Sequence, residues 1–498
     1  MKRAALFLLL LVWVFPSARP LFSQSLTPAQ AHEDLQFLKR KLDLLHPGMG
    51  YYTLKARMEF LYDSLYNNLT APVDYLAFYR HLSPLVTALK DGHTNLNHRR
   101  NFIDKTTRFV PFYIRQADNK YFISHNASED TELSRGTELL TINGRSVAAI
   151  HRELMTTDHA GSDGDNLTGR QQWSMVQFAD YYAAQFGSVD SVSVQYRLRG
   201  DTLVRHTRLG CPTATAFKET LSKRYDEVNQ SRPNLSVRVV DELSHTAVLR
   251  VSTFSGPKKY DPFQWVFKRR LKQAFRQIHQ RGIENLIVDL QNNGGGAVVN
   301  SARLLQYWLP KPFRVMDKEQ LNTAAKRELV SRWNPISALN FSLRYKANGK
   351  SGFLSRSARS RFRPNKTMAF RGNLYFLMNG ASFSASTSVL AKTLDASLGT
   401  YVGEASGSAY WGDFAGHFKV VTLPNSRLQV RIPLKKLTHA VAADRANGFT
   451  VEPDFDVSRS YDDLLNNRDY LLAYTLVLIK QGITARRTTT ARPLQASR

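Results

Sequence analysis

The sequence predicts a multidomain α/β protein, and three observations carry that reading. Periodicity changes along the chain: amphipathic helical stretches fill 26–107, short strand-like runs fill 108–210, and strands alternate with helices from 235 onward. At 498 residues the chain exceeds what one hydrophobic core ordinarily covers. Its 43% apolar and 11% aromatic residues supply several cores and exclude wholesale disorder.

The first 23 residues read as a secretory signal peptide. Lys2 and Arg3 precede an apolar run at 4–15, and small residues follow at Ala18 and Ser23. The run is short for a membrane span, and an uncleaved anchor is the second choice. Cys211 is the only cysteine, so no disulfide forms within the chain. Export without disulfides points to a bacterial envelope, with the protein in the periplasm or secreted. The net charge of +27 suggests nucleic acid at first. Export and the scattered charge argue against that partner and for electrostatic association with an anionic envelope surface.

Residues 24–107 form the expected helical domain. In "LTPAQAHEDLQFLKRKLDLLHP" Thr27 is the N-cap and Pro28 the first helical residue. Ala31, Leu35, Leu38, Leu42 and Leu45 share one face, and Pro47 ends the run. Residues 108–210 form a β-rich module, with an Asn143-Gly144 turn inside "ELLTINGRSVAAI". Residues 211–234 read as a linker, 235–460 as an α/β core, and 461–498 as a C-terminal helix and a basic tail. Within the core, the Arg- and Ser-rich stretch 311–370 reads as an exposed excursion.

Three stretches could carry chemistry. "LIVDLQNNGGGAVVN" (286–300) places glycines between a buried strand and a helix, where free backbone N–H groups face an anion. It lacks the spacing of a nucleotide loop, which leaves an oxyanion hole or a plain tight turn. "NGASFSASTSVLA" (379–391) puts Ser382, Ser384, Ser386 and Ser388 where a buried strand hands over to a helix. Such a turn exposes a nucleophile, although serines also cap helices. "LKDGHTNLNH" (89–98) leaves His93 on a turn, where a histidine can act as general base. His98 is badly spaced to share a metal with it, and no metal or cofactor is expected.

Together these motifs resemble the tail-specific, or carboxyl-terminal processing, serine peptidases, a family that includes the tricorn core protease. "LIVDLQNNGGG", "NGASFSAS", "GTYVGEASG" and "VEPDFDV" follow the family's pattern in order. Gly403 and Glu404 stand 19 and 20 positions after Ser384, the register that selects Ser384 as nucleophile. "RGTELLTINGRSVAAI" is similar to the family's PDZ-like module. The resemblance thus implies a helical segment, a PDZ-like β-rich module and a crotonase-like α/β core.

The chain departs from the Ser–Lys members, whose lysine position is occupied here by Ala409. "KDGHT" matches instead the tricorn-like branch, which takes its base from the helical segment and so implies His93. By this resemblance the protein is an exported serine peptidase that forms an acyl-enzyme on Ser384. Backbone N–H groups of Ala385 and of Gly294 or Gly295 would hold the oxyanion. Asp91, Glu404 and Asp444 are the candidate acidic orienters. The partner is a peptide or protein substrate, and a basic groove lined by 311–370 would favour acidic peptides. A catalytically inactive peptide- or hydrophobic-ligand-binding protein on the same fold is the alternative.

Overall fold

The computed structural model describes residues 25–97, 101–157, 161–229, 233–256, 264–330, 334–349, 352–442 and 450–485. The expected signal segment, His98, Asp444 and the tail beyond 485 lie outside the described residues.

Helix α1 (Pro28–Leu45) starts as its sequence requires. Thr27 Oγ1 accepts the Gln30 N–H at 3.3 Å, and the Gln30 side chain accepts the Thr27 N–H at 2.9 Å. Its five periodic apolar residues are all buried. Helices α2 (Lys55–Asn67) and α3 (Tyr75–Thr87) follow, α3 capped by Asp74. These helices do not close a core of their own. Their apolar cluster also contains Leu321, Phe341, Tyr345, Val430 and Ile432 from the other half of the chain. Three short helices with one apolar face each bury too little against one another, so distant strands complete the core.

The β-rich module has strands β1 (Phe112–Ala117), β2 (Lys120–Asn126) and β3 (Glu138–Ile142). Helices α4 (Val147–Thr157), α5 (Leu167–Val176) and α6 (Phe178–Phe186) come next, then β4 (Ser191–Arg197) and β5 (Arg205–Gly210). The strands pair antiparallel in the order β1-β2-β3-β4-β5. Asn143 and Gly144 both take positive φ, 50° and 76°, in the tight turn after β3. The expected linker 211–234 is a correction. Helix α7 (Ala214–Arg224) occupies it, and Cys211, Phe217 and Leu221 bury in the module's own core.

The core sheet comprises β6 (Leu235–Asp241), β7 (Thr246–Val251) and β8 (Asn285–Asp289), with helix α8 (Trp265–Gln280) between the last two. Helix α9 (Val298–Leu305) follows β8. Later come β12 (Asn373–Met378), helix α12 (Ala385–Asp395), β13 (Thr400–Gly403) and β16 (Phe455–Asp456). The order is β16-β13-β12-β8-β7-β6, parallel except for the β6–β7 pair. Alternate residues go to opposite faces. Leu286, Val288 and Phe376 join one cluster, while Ile287, Tyr375 and Leu377 meet Leu471 and Leu478 of the C-terminal helix α14 (Tyr470–Lys480). A short helix, α13 (Tyr461–Leu465), precedes it.

The 311–370 stretch is more ordered than its composition suggests. It supplies β9 (Met316–Leu321), α10 (Thr323–Leu329), α11 (Pro335–Arg344), β10 (Tyr345–Ala347) and β11 (Phe353–Ser355). Its strands join β14 (Gly412–Thr422) and β15 (Gln429–His439) in an antiparallel sheet ordered β10-β11-β9-β15-β14. The polar composition reflects outward-facing residues, while Leu321, Ala325, Phe341 and Tyr345 point inward.

Candidate active site

Two loops leave the carboxyl ends of the neighbouring parallel strands β8 and β12, where sheets of this kind form their crevices. The loop 290–296 leads to α9, and the loop 379–384 leads to α12. Serines tie the two together. Ser382 Oγ donates to the Leu290 carbonyl at 2.8 Å and Ser386 Oγ to the Asn293 carbonyl at 2.8 Å. Ser388 Oγ bonds His439 Nε2 at 2.9 Å. These side chains therefore fasten the turn rather than cap the helix.

Ser384 is different. It sits at the N-cap of α12 with φ 55° and ψ −116°, and its side chain makes no cap bond. That backbone region costs a non-glycine residue about 1–3 kcal/mol and persists only where the surroundings impose it. Here β12 and α12 pin the chain on either side, and the Ser384 N–H donates to Ser408 Oγ at 2.9 Å.

Gly295 adopts φ +98°, and a Cβ there would come within 2.8 Å of the Ser384 Cβ. Only glycine permits that approach. The Gly295 N–H is already donated to Asn293 Oδ1 at 2.9 Å, which corrects its expected place among the oxyanion donors. Gly294 N–H makes no hydrogen bond among the described residues. The Ala385 N–H opens α12 and has no partner within the helix.

His93 arrives from the helical start and shares with Ser384 a cleft of about 370 Å³, lined also by Trp173, Phe383, Phe418 and Arg431. Its ring lies 4.6 Å from the Phe383 ring. No hydrogen bond joins His93 to Ser384 among the described residues. Burial drives the His93 pKa down to about 4, with the Arg431 charge adding to the effect and Asp91 opposing it. The imidazole is therefore neutral at pH 7 and able to take a proton.

The three expected orienters separate. Asp91 is fully buried, and its Oδ2 accepts from His46 Nε2 at 2.9 Å and from Thr94 Oγ1. Burial would raise its pKa, but these bonds and the neighbouring histidines hold it below the ordinary carboxylate value. Its Oδ1 accepts the His93 N–H at 3.1 Å and stands 3.9 Å from His93 Nδ1, beyond hydrogen-bond length. Glu404 lines a different cavity, with Arg459 and Tyr470, and so does not face His93. Asp444 is outside the described residues.

Two carboxylates at the site have no sequence signal. Asp163, in the loop "GSDGD", accepts the Gly92 N–H on Oδ1 at 2.9 Å and donates its own N–H to the Gly407 carbonyl at 3.0 Å. The Gly407 N–H in turn donates to the Ser382 carbonyl at 3.0 Å, next to Ser408, whose hydroxyl accepts the Ser384 N–H. Asp163 thus links the turn that carries His93 to the turn that carries Ser384. Burial, then the charges of Asp91 and Asp413, push its pKa well above the ordinary value. Asp413, on β14, is pushed up to about 7 by burial and by Asp91, and the Ser384 hydroxyl partly counters this.

Ligand atoms of Asp91, His93 and Asp163 lie within 4.8 Å of one another, a spacing that could hold a metal ion. His46, Thr94, Gly92 and the His93 N–H engage three of that cluster's four carboxylate oxygens, and Asp163 Oδ2 is left without a hydrogen-bond partner among the described residues. The expected basic lining is a further correction: among the described residues, none of 311–370 lines the Ser384 cleft, and its cation is Arg431.

A serine held in a strained strand-to-helix turn, against a glycine loop and beside a neutral histidine, defines the class of serine hydrolases. Residues 245–457 match Peptidase family S41, which supports a serine-type peptidase of the tail-specific kind. The fold is similar to that of mature CPAF, at 15% identity and a TM-score of 0.63, covering 92% of this chain and 100% of that one. A CPAF mutant aligns with a TM-score of 0.62 at 14% identity, over 94% of this chain and 100% of the other. The photosystem II D1 C-terminal processing protease aligns more loosely, with a TM-score of 0.40 at 13% identity, over 86% and 93% of the two chains. No curated protein sequence matches.

Proposed function

We propose that the protein is an exported peptidase of the Ser–His, tricorn-like kind, hydrolysing peptide bonds through an acyl-enzyme on Ser384 with His93 as general base. The observation that carries this reading is the meeting of Ser384 and His93 in one cleft, although 291 positions separate them in the chain. Neutral His93 takes the Ser384 proton as Oγ attacks the substrate carbonyl. The N–H groups of Ala385 and Gly294 face the oxygen that becomes negative. His93, now protonated, gives its proton to the leaving amine, and water attacks the ester to release the acid and restore Ser384.

Asp163 is a positioning residue in this scheme, through Gly92 on one side and Gly407 on the other. Asp91 orients His93 once Nδ1 moves about 1 Å closer. The β-rich module is read as PDZ-like and the parallel-sheet core as crotonase-like. Export rests on Lys2, Arg3 and the apolar run behind them.

The test is labelling by a serine-reactive fluorophosphonate. Wild type labels on Ser384, Ser384→Ala does not, and His93→Ala labels far more slowly. Labelling that survives Ser384→Ala assigns the nucleophile elsewhere. A wild-type chain that stays folded and unlabelled supports the inactive binding protein instead.

A further inference from the structure

Helix α11 is apolar on two opposite sides. Its inner side carries Phe341, 6% exposed, stacked on Tyr345 at 4.6 Å and edge-on to Phe353 at 4.9 Å. At about 100° per residue, Ile336, Leu339 and Leu343 fall together on the far side. They are 65%, 60% and 65% exposed. A single exposed leucine is ordinary, whereas three in helical register make a stripe.

The charge around that stripe is one-sided. Residues 311–370 hold 14 Lys and Arg against three acids, Asp317, Glu319 and Glu328. All three acids are already engaged, with Arg314 at 3.2 Å, Lys435 at 3.2 Å and Lys419 at 2.6 Å. At the end of α11 the Arg356 N–H donates to the Arg344 carbonyl at 2.8 Å, which sets these two residues side by side. Arg344, Lys346 and Arg356 are exposed and make no ion pair among the described residues.

We propose that this face of α11 docks on an anionic lipid bilayer. Ile336, Leu339 and Leu343 enter the boundary between headgroups and acyl chains, and Arg344, Lys346 and Arg356 meet the phosphates. An apolar stripe beside unpaired cations suits that boundary, where one layer is oily and the next is negative. A second copy of this chain fits less well, because a net charge of +27 repels its own like. A neutral apolar partner leaves the cations without a role.

The test places an environment-sensitive dye on Asn340→Cys in the full chain. Cys211, the one native cysteine, is buried and stays unlabelled. A local dye reads α11 itself and not the apolar N-terminus. Vesicles containing phosphatidylglycerol shift its emission to the blue, and phosphatidylcholine vesicles do not. Arg344→Gln with Lys346→Gln and Arg356→Gln weakens the anionic binding on the order of 100-fold. Ile336→Glu with Leu339→Glu and Leu343→Glu abolishes the shift while the circular dichroism spectrum is unchanged. No shift on anionic vesicles overturns the proposal, as does an equal shift on neutral ones. A shift that needs no vesicles and grows with protein concentration overturns it in favour of a second copy.

Discussion

Gly295→Ala is the sharpest probe of the site, because the perturbation is one methyl group at a known place. That methyl would lie 2.8 Å from the Ser384 Cβ, 2.9 Å from the Ala385 nitrogen and 2.9 Å from the Phe383 carbonyl oxygen. Two of those neighbours are backbone and cannot rotate away. The residue must also hold φ near +98°, which costs a side-chain-bearing residue about 1–3 kcal/mol. Relieving the overlap adds about 1–3 kcal/mol.

The total destabilisation is about 2–6 kcal/mol, read as a lower melting temperature. The local result matters more. A displacement of Ser384 by about 1 Å reduces its reaction rate on the order of 100-fold. Gly294→Ala is the matched control, since its Cβ meets only the Trp173 ring, at 3.3 Å and beyond. The assay is the rate of fluorophosphonate labelling on both variants, alongside their melting curves. A Gly295→Ala protein that labels within twofold of wild type, or a Gly294→Ala protein equally impaired, refutes the reasoning.

Asp163→Ala leaves the buried Gly92 N–H without an acceptor, at a cost of about 1–3 kcal/mol, and lowers kcat on a peptide substrate with little change in KM. Asp163→Asn keeps an acceptor and approximates the neutral acid that burial favours, so it retains most activity; equal loss in both variants contradicts the link. The acid limb of kcat/KM lies below the ordinary histidine value of 6.5, because His93 is held down to about 4. Arg431→Gln removes a charge that depresses His93 and moves that limb upward; a limb unmoved by Arg431→Gln counts against His93 as the base. The fold itself weakens in acid. His93, His151 and His439 are each lowered to about 4 by burial, so between about 4 and 6.5 the unfolded chain binds more protons and stability drops as pH falls. Asp413, pushed up to about 7, works in the opposite direction over the same window. The melting temperature should be lower at pH 5 than at pH 7.5, and a flat profile would show that the carboxyls cancel the histidines.

The helix from Pro28 and the strand-to-helix alternation of the core were legible in the sequence because their causes are local: a cap, a period, a run of apolar residues. Ser384 and His93 were legible only through motif order, and each lines the cleft. Gly295 was read as a donor, but the glycine serves close approach to Ser384, and its N–H is spent on Asn293. No pattern announces Asp163 or Asp413. Both matter through burial and neighbours 70 or more positions away, or on another strand, and those depend on the packed chain. The same holds for the linker that became α7 and for the 311–370 stretch, whose inward residues complete the core of the first helices. Sequence determined the first helix, the strand-to-helix alternation of the core, and Ser384 and His93 as residues that could react. Tertiary structure decided which carboxylates stand beside the serine, which N–H groups remain free, and how far burial lowers His93, because each is set by distances between segments remote in the chain.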